Sequence, residues 1–374
     1  MSALRITILQ GAFFPVPPLR GGAVEKLWHR LAIEFARRGE VVTQVSRAVP
    51  ELPASGELEG VRHLRVPGRD QPASGLALKW ADLLYTRRAL RAAPDGDILV
   101  TNTFWAPILA SGRHGRIHVS VERMPKGQMR LYHRASRLRA NSSAVAAAIR
   151  AELPRVGERL VVIPNPLPAA PSRAPDPARR TKRFLFVGRL HPEKGVALLL
   201  AAFAAAKAGG ALAGWTLELV GPAEIGRGGG GEAWLRDLLT RHASPDTTWS
   251  GPIYDPETLA ARYESATVFV YPSLAEKGES FGLAPLEAMA WGCIPLVSDL
   301  ACFRDFIRPG ENGLVFDHRA PAPVAALARA LVAASALDPA PLSAAALAVR
   351  ESHSPARIAT EFIADFHRLS PAAP

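Results

Sequence analysis

The stretch "PNPLPAAPSRAPDPARRTKRFLFVG", residues 164–188, decides how the chain is divided. Its first part is dense in proline, which fixes φ and lacks an N–H, so neither an interior helix nor a central strand fits there. Its end, "RFLFVG" over 183–188, is a short apolar run closed by glycine and reads as a buried strand. A linker over 168–182 followed by a fresh strand predicts one domain over 1–167 and a second over 183–354. A length of 374 residues agrees with this, since single cores stop growing beyond roughly 250–300 residues. The final amphipathic pattern, about 355–374, carries Ile358, Phe362, Ile363 and Phe366 at helical spacing and is expected to return to the first domain.

Outward from the linker, strand-like and helical runs alternate in both directions. Before it come "RITIL" (5–9), a helical pattern over 24–38, "VVTQV" (41–45), "VRHLRV" (61–66), a helix in 76–92, "DILVT" (97–101), "IHVSV" (117–121), "SRLRA" (136–140) and "LVVIP" (160–164). After it come "WTLELVG" (215–221), "TTWSG" (247–251), a helix in 256–264, "ATVFVYPS" (266–273), "IPLVSD" (294–299) and "GLVF" (313–316). The alternation predicts an α/β chain of two facing, doubly wound, Rossmann-like parallel sheets, with ligands at the carboxyl ends of the strands.

The net charge of +11 is uneven: residues 1–167 hold 25 Lys and Arg against 13 Asp and Glu, and the remainder 20 against 21. A basic first half points to an anionic partner such as a membrane surface or a phosphorylated acceptor. Its densest part, 113–139, spaces Lys126, Arg130 and Arg134 four apart, as on one helix face. The sequence holds no nucleic-acid module, and at 7% aromatic it is poor in stacking side chains. Two cysteines, Cys293 and Cys302, supply neither a disulfide framework nor a zinc spacing, and no apolar run reaches the ~20 residues of a spanning helix. A cytoplasmic protein, peripheral at the inner face of the membrane, is the expectation.

The richest chemistry lies in "ESFGLAPLEAMAWG", residues 279–292, with Glu279 and Glu287 eight positions apart. Pro285 suits a first helical turn and Gly292 the position just past the end, so a helix over 284–291 is expected, with Glu287 in its first turn. Gly282 lets the backbone approach a ligand, and a helix start presents free N–H groups suited to phosphate. Arg189 and Lys194 follow the 183–188 strand; a loop there can aim both at one diphosphate.

The E-x7-E pattern after a "VYPS" strand resembles the family 4 retaining glycosyltransferases of GT-B fold. So do "FVGRLHPEKGV" (186–196), "GPIYDPETLAARYESATVFVYPS" (251–273) and "RGGAVEKLWHRLAIEFARRGEVV" (20–42), in the expected order. The resemblance implies that Glu279 contacts the transferred sugar, Glu287 the ribose, and Arg189 and Lys194 the diphosphate. It implies further that the backbone at Gly21 and Gly22 approaches the diphosphate from the first domain. Ser280, Phe281, Gly282 and Leu283 would line the donor site, and backbone around Ile253 would read the base. Many members carry a histidine after the strand equivalent to 117–121. Here that place holds Glu122 and Arg123, which with Lys126 become the acceptor-side candidates, while His118 lies inside the strand as a structural residue.

Two further patterns invite misreading. "DGD" (95–97) copies the D-x-D of metal-dependent glycosyltransferases but sits in a Pro-Asp-Gly turn, so no metal site is expected. "GRGGGG" (226–231) contains G-x-G-x-x-G but does not follow its strand directly, and reads as a flexible loop beside the nucleotide. The function implied is metal-independent, retaining transfer of a hexose from a nucleoside-diphosphate sugar to a saccharide or lipid-linked acceptor, in polysaccharide or lipopolysaccharide assembly, with no cofactor. The alternatives are a nucleotide-sugar epimerase or phosphorylase of the same fold, or a noncatalytic polyanion-binding protein.

Overall fold

The computed structural model describes residues 2–19, 22–72, 74–168, 171, 173–242 and 244–370. The chain forms two compact units, Met1–Ala169 with His353–Pro374, and Ala170–Ser352.

The first unit is built on an eight-stranded sheet. In chain order its strands are β1 (Arg5–Leu9), β2 (Val41–Arg47), β3 (Ser55–Leu58), β4 (Val61–Val66), β5 (Ile98–Thr101), β6 (Arg116–Val121), β7 (Arg137–Ala140) and β8 (Leu160–Val162). Their spatial order is β3-β4-β2-β1-β5-β6-β7-β8, parallel except for the β3–β4 pair. The short edge strand β3, "SGEL", is exposed along its whole length. It has no apolar alternation, so the sequence gives no sign of it. Successive residues of a strand face opposite sides, and Ile8 and Leu9 of β1 accordingly enter different cores.

One of those cores is closed by the helices Ala23–Arg37 and Pro355–Leu369. Trp28 meets Phe362 edge-on at 5.2 Å between ring centres, and Phe35 meets Phe366 at 5.6 Å. Ser354 caps the C-terminal helix by accepting a hydrogen bond from the Arg357 N–H, which satisfies one of the orphan donors there. His118 on β6 is fully buried against Phe362 and Phe366 with its Nε2 3.6 Å from Asp365, and burial lowers its pKa. It is part of the core.

The basic stretch 113–139 does not form the helix face that its spacing suggests. Around Lys126, Arg130 and Arg134 the chain makes the short 3-10 turn Gln128–Leu131 in place of a helix. Several of its arginines are structural: Arg139 is fully buried and paired with Glu122 at 2.8 Å, Arg137 donates to Asp365 at 3.0 Å, and Arg113 pairs with Asp95 at 2.9 Å. The other carboxylate of "DGD", Asp97, accepts hydrogen bonds from the Arg5 backbone N–H at 2.8 Å and from its guanidinium. Both acids of that motif therefore pin turns.

The second unit holds a six-stranded, all-parallel sheet: β9 (Thr181–Val187), β10 (Thr216–Val220), β11 (Thr247–Trp249), β12 (Ala266–Tyr271), β13 (Ile294–Ser298) and β14 (Leu314–Phe316), in the order β11-β10-β9-β12-β13-β14. Buried on both faces, its central strands are near-continuous apolar runs, as parallel strands require. The proline-rich stretch before β9 is tied to this unit. Arg173 and Arg179 pair with the buried Glu264, and Arg180 donates to the carbonyls of Ala266 and Trp291.

Candidate functional site

In a doubly wound sheet the order reverses at one place, and the crevice there accepts ligands. In the second unit that place lies between β9 and β12, which are hydrogen-bonded neighbours. Arg189 and Lys194 follow β9, and the loop carrying Glu279 follows β12.

Beyond β9 the chain passes Gly188 and makes the 3-10 turn Pro192–Lys194, capped by the His191 ring, which accepts from the Glu193 N–H. This turn swings Lys194 inward. Its Nζ donates to Glu279 Oε2 at 2.7 Å and lies 5.6 Å from the centre of the Tyr271 ring. Lys194 and Glu279 are only 7% and 9% exposed. Ser273 Oγ also donates to Glu279 Oε2, at 3.1 Å. Glu279 is thus a buried, doubly held carboxylate on the loop that follows β12. Burial and this neighbouring carboxylate push the Tyr271 phenol well above its ordinary pKa, so Tyr271 stays neutral. Arg189 takes another direction. Half-exposed, it donates to Glu193 and to the Gly228 carbonyl, each at 2.9 Å.

The helix after that loop runs Leu283–Ala290. It begins one residue earlier than its proline suggests, so Pro285 stands third, still at a position where an N–H would have no helical acceptor and its lack costs nothing. Glu287 consequently falls in the second turn, where the Tyr263 hydroxyl donates to its Oε2 at 3.2 Å. Gly282 at the N-cap has φ of 93°, and an added Cβ would collide with the Phe303 ring. Backbone conformation and packing already require glycine there. Ser280 and Leu283 are half-buried, while Phe281 is buried against Phe306 with ring centres 5.4 Å apart. Ile253, half-buried, lies between β11 and the helix Pro256–Ser265.

The glycine tract 226–231 is no loose loop. The N–H groups of Gly229, Gly230 and Gly231 donate to the carbonyls of Glu224, Leu190 and Ala223, and Gly228 accepts from Arg189. A Cβ on Gly229 would overlap Ala223. The tract is packed backbone that steadies the turn after β9.

In the first unit the corresponding reversal lies between β1 and β5. A cavity of about 370 Å³ opens there, and its lining includes Gly22, Glu25, Asn102, Glu122, Arg123 and Tyr132. Glu25 stands in the first turn of the helix Ala23–Arg37. Burial raises its pKa, against the pull of its own backbone N–H and of Arg123. Glu122 is engaged by Arg139 and by the Ser120 hydroxyl, which donates at 2.6 Å. Arg123 is exposed at the rim, and Lys126 does not line the cavity. Gly22 has φ of 92°, and a Cβ there would overlap the Glu25 carboxylate. Gly21 lies outside the described residues. Among those described, no group of three His, Cys, Asp or Glu side chains could hold a metal ion.

Glu25, Tyr263, Tyr271 and Ser273 did not stand out in the sequence. Ser273 and Tyr271 belong to the "VYPS" strand end, so that motif contained the signal; for Glu25 the only pointer was its place two residues into a helix that follows a glycine pair.

Residues 172–339 match the family described as "Glycosyl transferases group 1". The phosphatidyl-myo-inositol mannosyltransferase of Mycobacterium leprae is 30% identical over 88% of this chain and 87% of its own length. The chain belongs to the group 1 glycosyl transferases. The D-inositol 3-phosphate glycosyltransferase of Acidothermus cellulolyticus is 32% identical over 44% of this transferase, a match that spans 38% of that relative's length. Among solved structures, the sucrose-phosphate synthase of Thermosynechococcus elongatus superposes with a TM-score of 0.81 at 21% identity, over 99% of this transferase and 100% of that chain. The fold is the two-sheet α/β architecture of GT-B glycosyltransferases.

Proposed function

We propose that this group 1 glycosyl transferase moves a hexose from a nucleoside-diphosphate sugar to a hydroxyl of a saccharide or lipid-linked acceptor, retaining the anomeric configuration and needing no metal ion. The observation that carries this reading is the buried Lys194–Glu279 pair, 2.7 Å apart, at the switch point of the second sheet. As the sugar–phosphate bond breaks, negative charge grows on the diphosphate and positive charge on the sugar ring. Preorganised donors facing the first charge are the main lever, each worth roughly 2.7–4 kcal/mol in comparable sites. Lys194, Arg189 and the open N–H groups of Leu283–Ala290 are such donors. Glu279 holds both Lys194 and the hydroxyls of the sugar. Glu287, steadied by Tyr263, holds the ribose, and backbone around Ile253 meets the base.

In this reading the acceptor oxygen bonds the anomeric carbon on the face that the phosphate leaves, and the departing phosphate oxygen takes the acceptor proton. The names of the mycobacterial and actinobacterial relatives make a mannosyl donor with an inositol-bearing acceptor the first pair to test. The setting that fits is assembly of surface glycolipid or polysaccharide on the cytoplasmic face of a membrane. Among the described residues no single helix is long and apolar enough to cross one; Pro323–Ala336 and Pro339–Ser352 reach that composition only together and bend by 101° at their junction.

The deciding experiment is thermal unfolding with UDP, GDP and ADP in turn, each with and without EDTA. A ligand at one hundred times its Kd adds about 2.7 kcal/mol. One nucleotide is expected to stabilise the protein regardless of EDTA, and Glu287→Ala is expected to abolish that shift. A protein indifferent to all three, or stabilised only with added metal, overturns the reading.

A further inference from the structure

The helix Gly75–Ala92 in the first unit carries a surface that the transfer chemistry does not use. Leu76, Trp80 and Leu84 are 73%, 59% and 41% exposed. They are four residues apart, so they form one stripe along the helix. One turn further on, the stripe passes into the exposed Arg87, Arg88 and Arg91, and Lys79 flanks it. The single acid of the helix, Asp82, lies two residues from Trp80 and from Leu84 and so on the opposite side of the helix; it is half-buried, and burial raises its pKa to about 6. Beside the stripe, a groove of about 190 Å³ between the helix and the 68–72 loop has Trp80 and Leu84 on one side and Arg69 and Arg88 at its edges. The one carboxylate on that loop, Asp70, is engaged by Arg47 at 2.7 Å.

Three large apolar side chains in a row on a solvent-facing helix are unfavourable in water unless something covers them. We propose that this face docks on an anionic lipid bilayer, with Leu76, Trp80 and Leu84 in the headgroup boundary and the arginines against lipid phosphates. The combination of an apolar stripe, an indole and a cationic flank, with Asp70 of the neighbouring loop held by Arg47, is what an interfacial helix requires. The 113–139 stretch, with Arg113, Arg137 and Arg139 paired inside the unit and Lys126, Arg130 and Arg134 exposed, has no helix to carry such a stripe. The proposal deepens, and for its purpose rests on, the reading of a lipid-linked acceptor. Its test does not.

The test is co-sedimentation of the whole protein with phosphatidylcholine vesicles, with and without phosphatidylglycerol, at low and high salt. The wild type is expected to bind only the anionic vesicles and to leave them as salt rises. The triple variant Leu76→Ser/Trp80→Ser/Leu84→Ser, and separately Arg87→Gln/Arg91→Gln, are each expected to weaken binding by more than about tenfold. Both variants keep the nucleotide-induced thermal shift, so failure of the docking surface and failure of the donor site are separate results. No binding by the wild type, equal binding to neutral vesicles, or unchanged binding by the triple variant overturns the proposal. So does a dimer, seen by sedimentation velocity, that the triple variant dissolves without vesicle binding, since the stripe would then cover a second copy of the chain.

Discussion

At the carboxyl ends of β9 and β12 the charged groups meet one another, while around the carboxyl ends of β1, β5 and β6 they stand about an open cavity. Both places are the reversal point of a doubly wound sheet, so topology makes a crevice at each. What differs is the side chains at the strand ends. In the second unit Lys194 is sunk onto Glu279 with Ser273 and Tyr271 around them. That is a preorganised arrangement in which charge is already held in place. In the first unit the fully buried Arg139 is spent on Glu122, Asn165 and the Ile163 carbonyl, and among the described lining residues Glu25 and the rim residue Arg123 are the remaining charges. Under the proposed function, the contrast favours the second switch point for the reacting diphosphate and the first for a hydroxyl-bearing acceptor.

The largest expected effect comes from separating the buried pair. Lys194→Met leaves the Glu279 carboxylate in place without its cation, and breaking such a pair from one side costs about 3–5 kcal/mol of stability. Glu279→Gln strands the ammonium in the same way. In turnover each single variant is expected to lose about a hundred- to a thousandfold in kcat. The double variant is expected to recover part of the stability and to be no slower than either single one, because the two groups act as a unit. Strictly additive losses in unfolding and in kcat would mean that the two residues work separately, and the contrast between the switch points would lose its basis.

A smaller effect is expected away from both switch points, at Glu264. Its buried carboxylate accepts from Arg173 and from the Asp176 N–H at 2.9 Å, and these partners, Arg173 foremost, bring its pKa down to about 2. Because the folded value lies below the ordinary value of 4.5, the stabilisation is complete above about pH 4.5 and is lost as pH falls towards 2. Glu264→Gln should therefore cost about 1.5–3 kcal/mol at neutral pH. It should flatten the acid limb of the unfolding curve and leave kcat unchanged. A fall in kcat at full folding would show that the proline-rich segment tied down by Glu264 takes part in turnover.

Much of this was legible beforehand. The strand runs, the break at the prolines and the returning helix with Phe362 and Phe366 follow from periodicity and backbone chemistry, which are local. Edge strand β3 was not legible, since an exposed strand has no buried face to impose alternation. The spacing of Lys126, Arg130 and Arg134 misled because four-residue spacing marks a helix face only where a helix exists, and here a short turn stands instead. Charge counts are blunt for a related reason. They cannot tell an arginine in solvent from Arg139, whose partners lie 17 and 26 residues away. At the candidate site, the residues were legible as types in a motif, but their pairing was not. That Lys194 goes to Glu279 and Arg189 to Glu193 depends on a turn whose direction only the packed sheet determines.

The smallest effect probes the first switch point. Glu25 lines the cavity and is largely buried, and the groups that act on it are its own backbone N–H and the charge of Arg123. If an acceptor hydroxyl enters this cavity, the Glu25 carboxyl is placed to accept its hydrogen bond. Glu25→Gln keeps the shape and an acceptor oxygen while weakening that bond. The expected result is a loss of about tenfold in transfer to the acceptor, the order of one hydrogen bond. Hydrolysis of the donor in the absence of acceptor, and the nucleotide-induced thermal shift, should be unchanged if, as proposed, the donor is held by the second unit. An equal loss of hydrolysis and transfer would place Glu25 with the donor chemistry. No loss of either would leave it as the carboxylate that sets the Gly22 turn, where a Cβ has no room. Gly22→Ala then tests the turn role: if Glu25 serves only the turn, Gly22→Ala is harmful and Glu25→Gln is not, whereas a carboxyl that meets the acceptor makes Glu25→Gln itself poor in transfer and normal in hydrolysis.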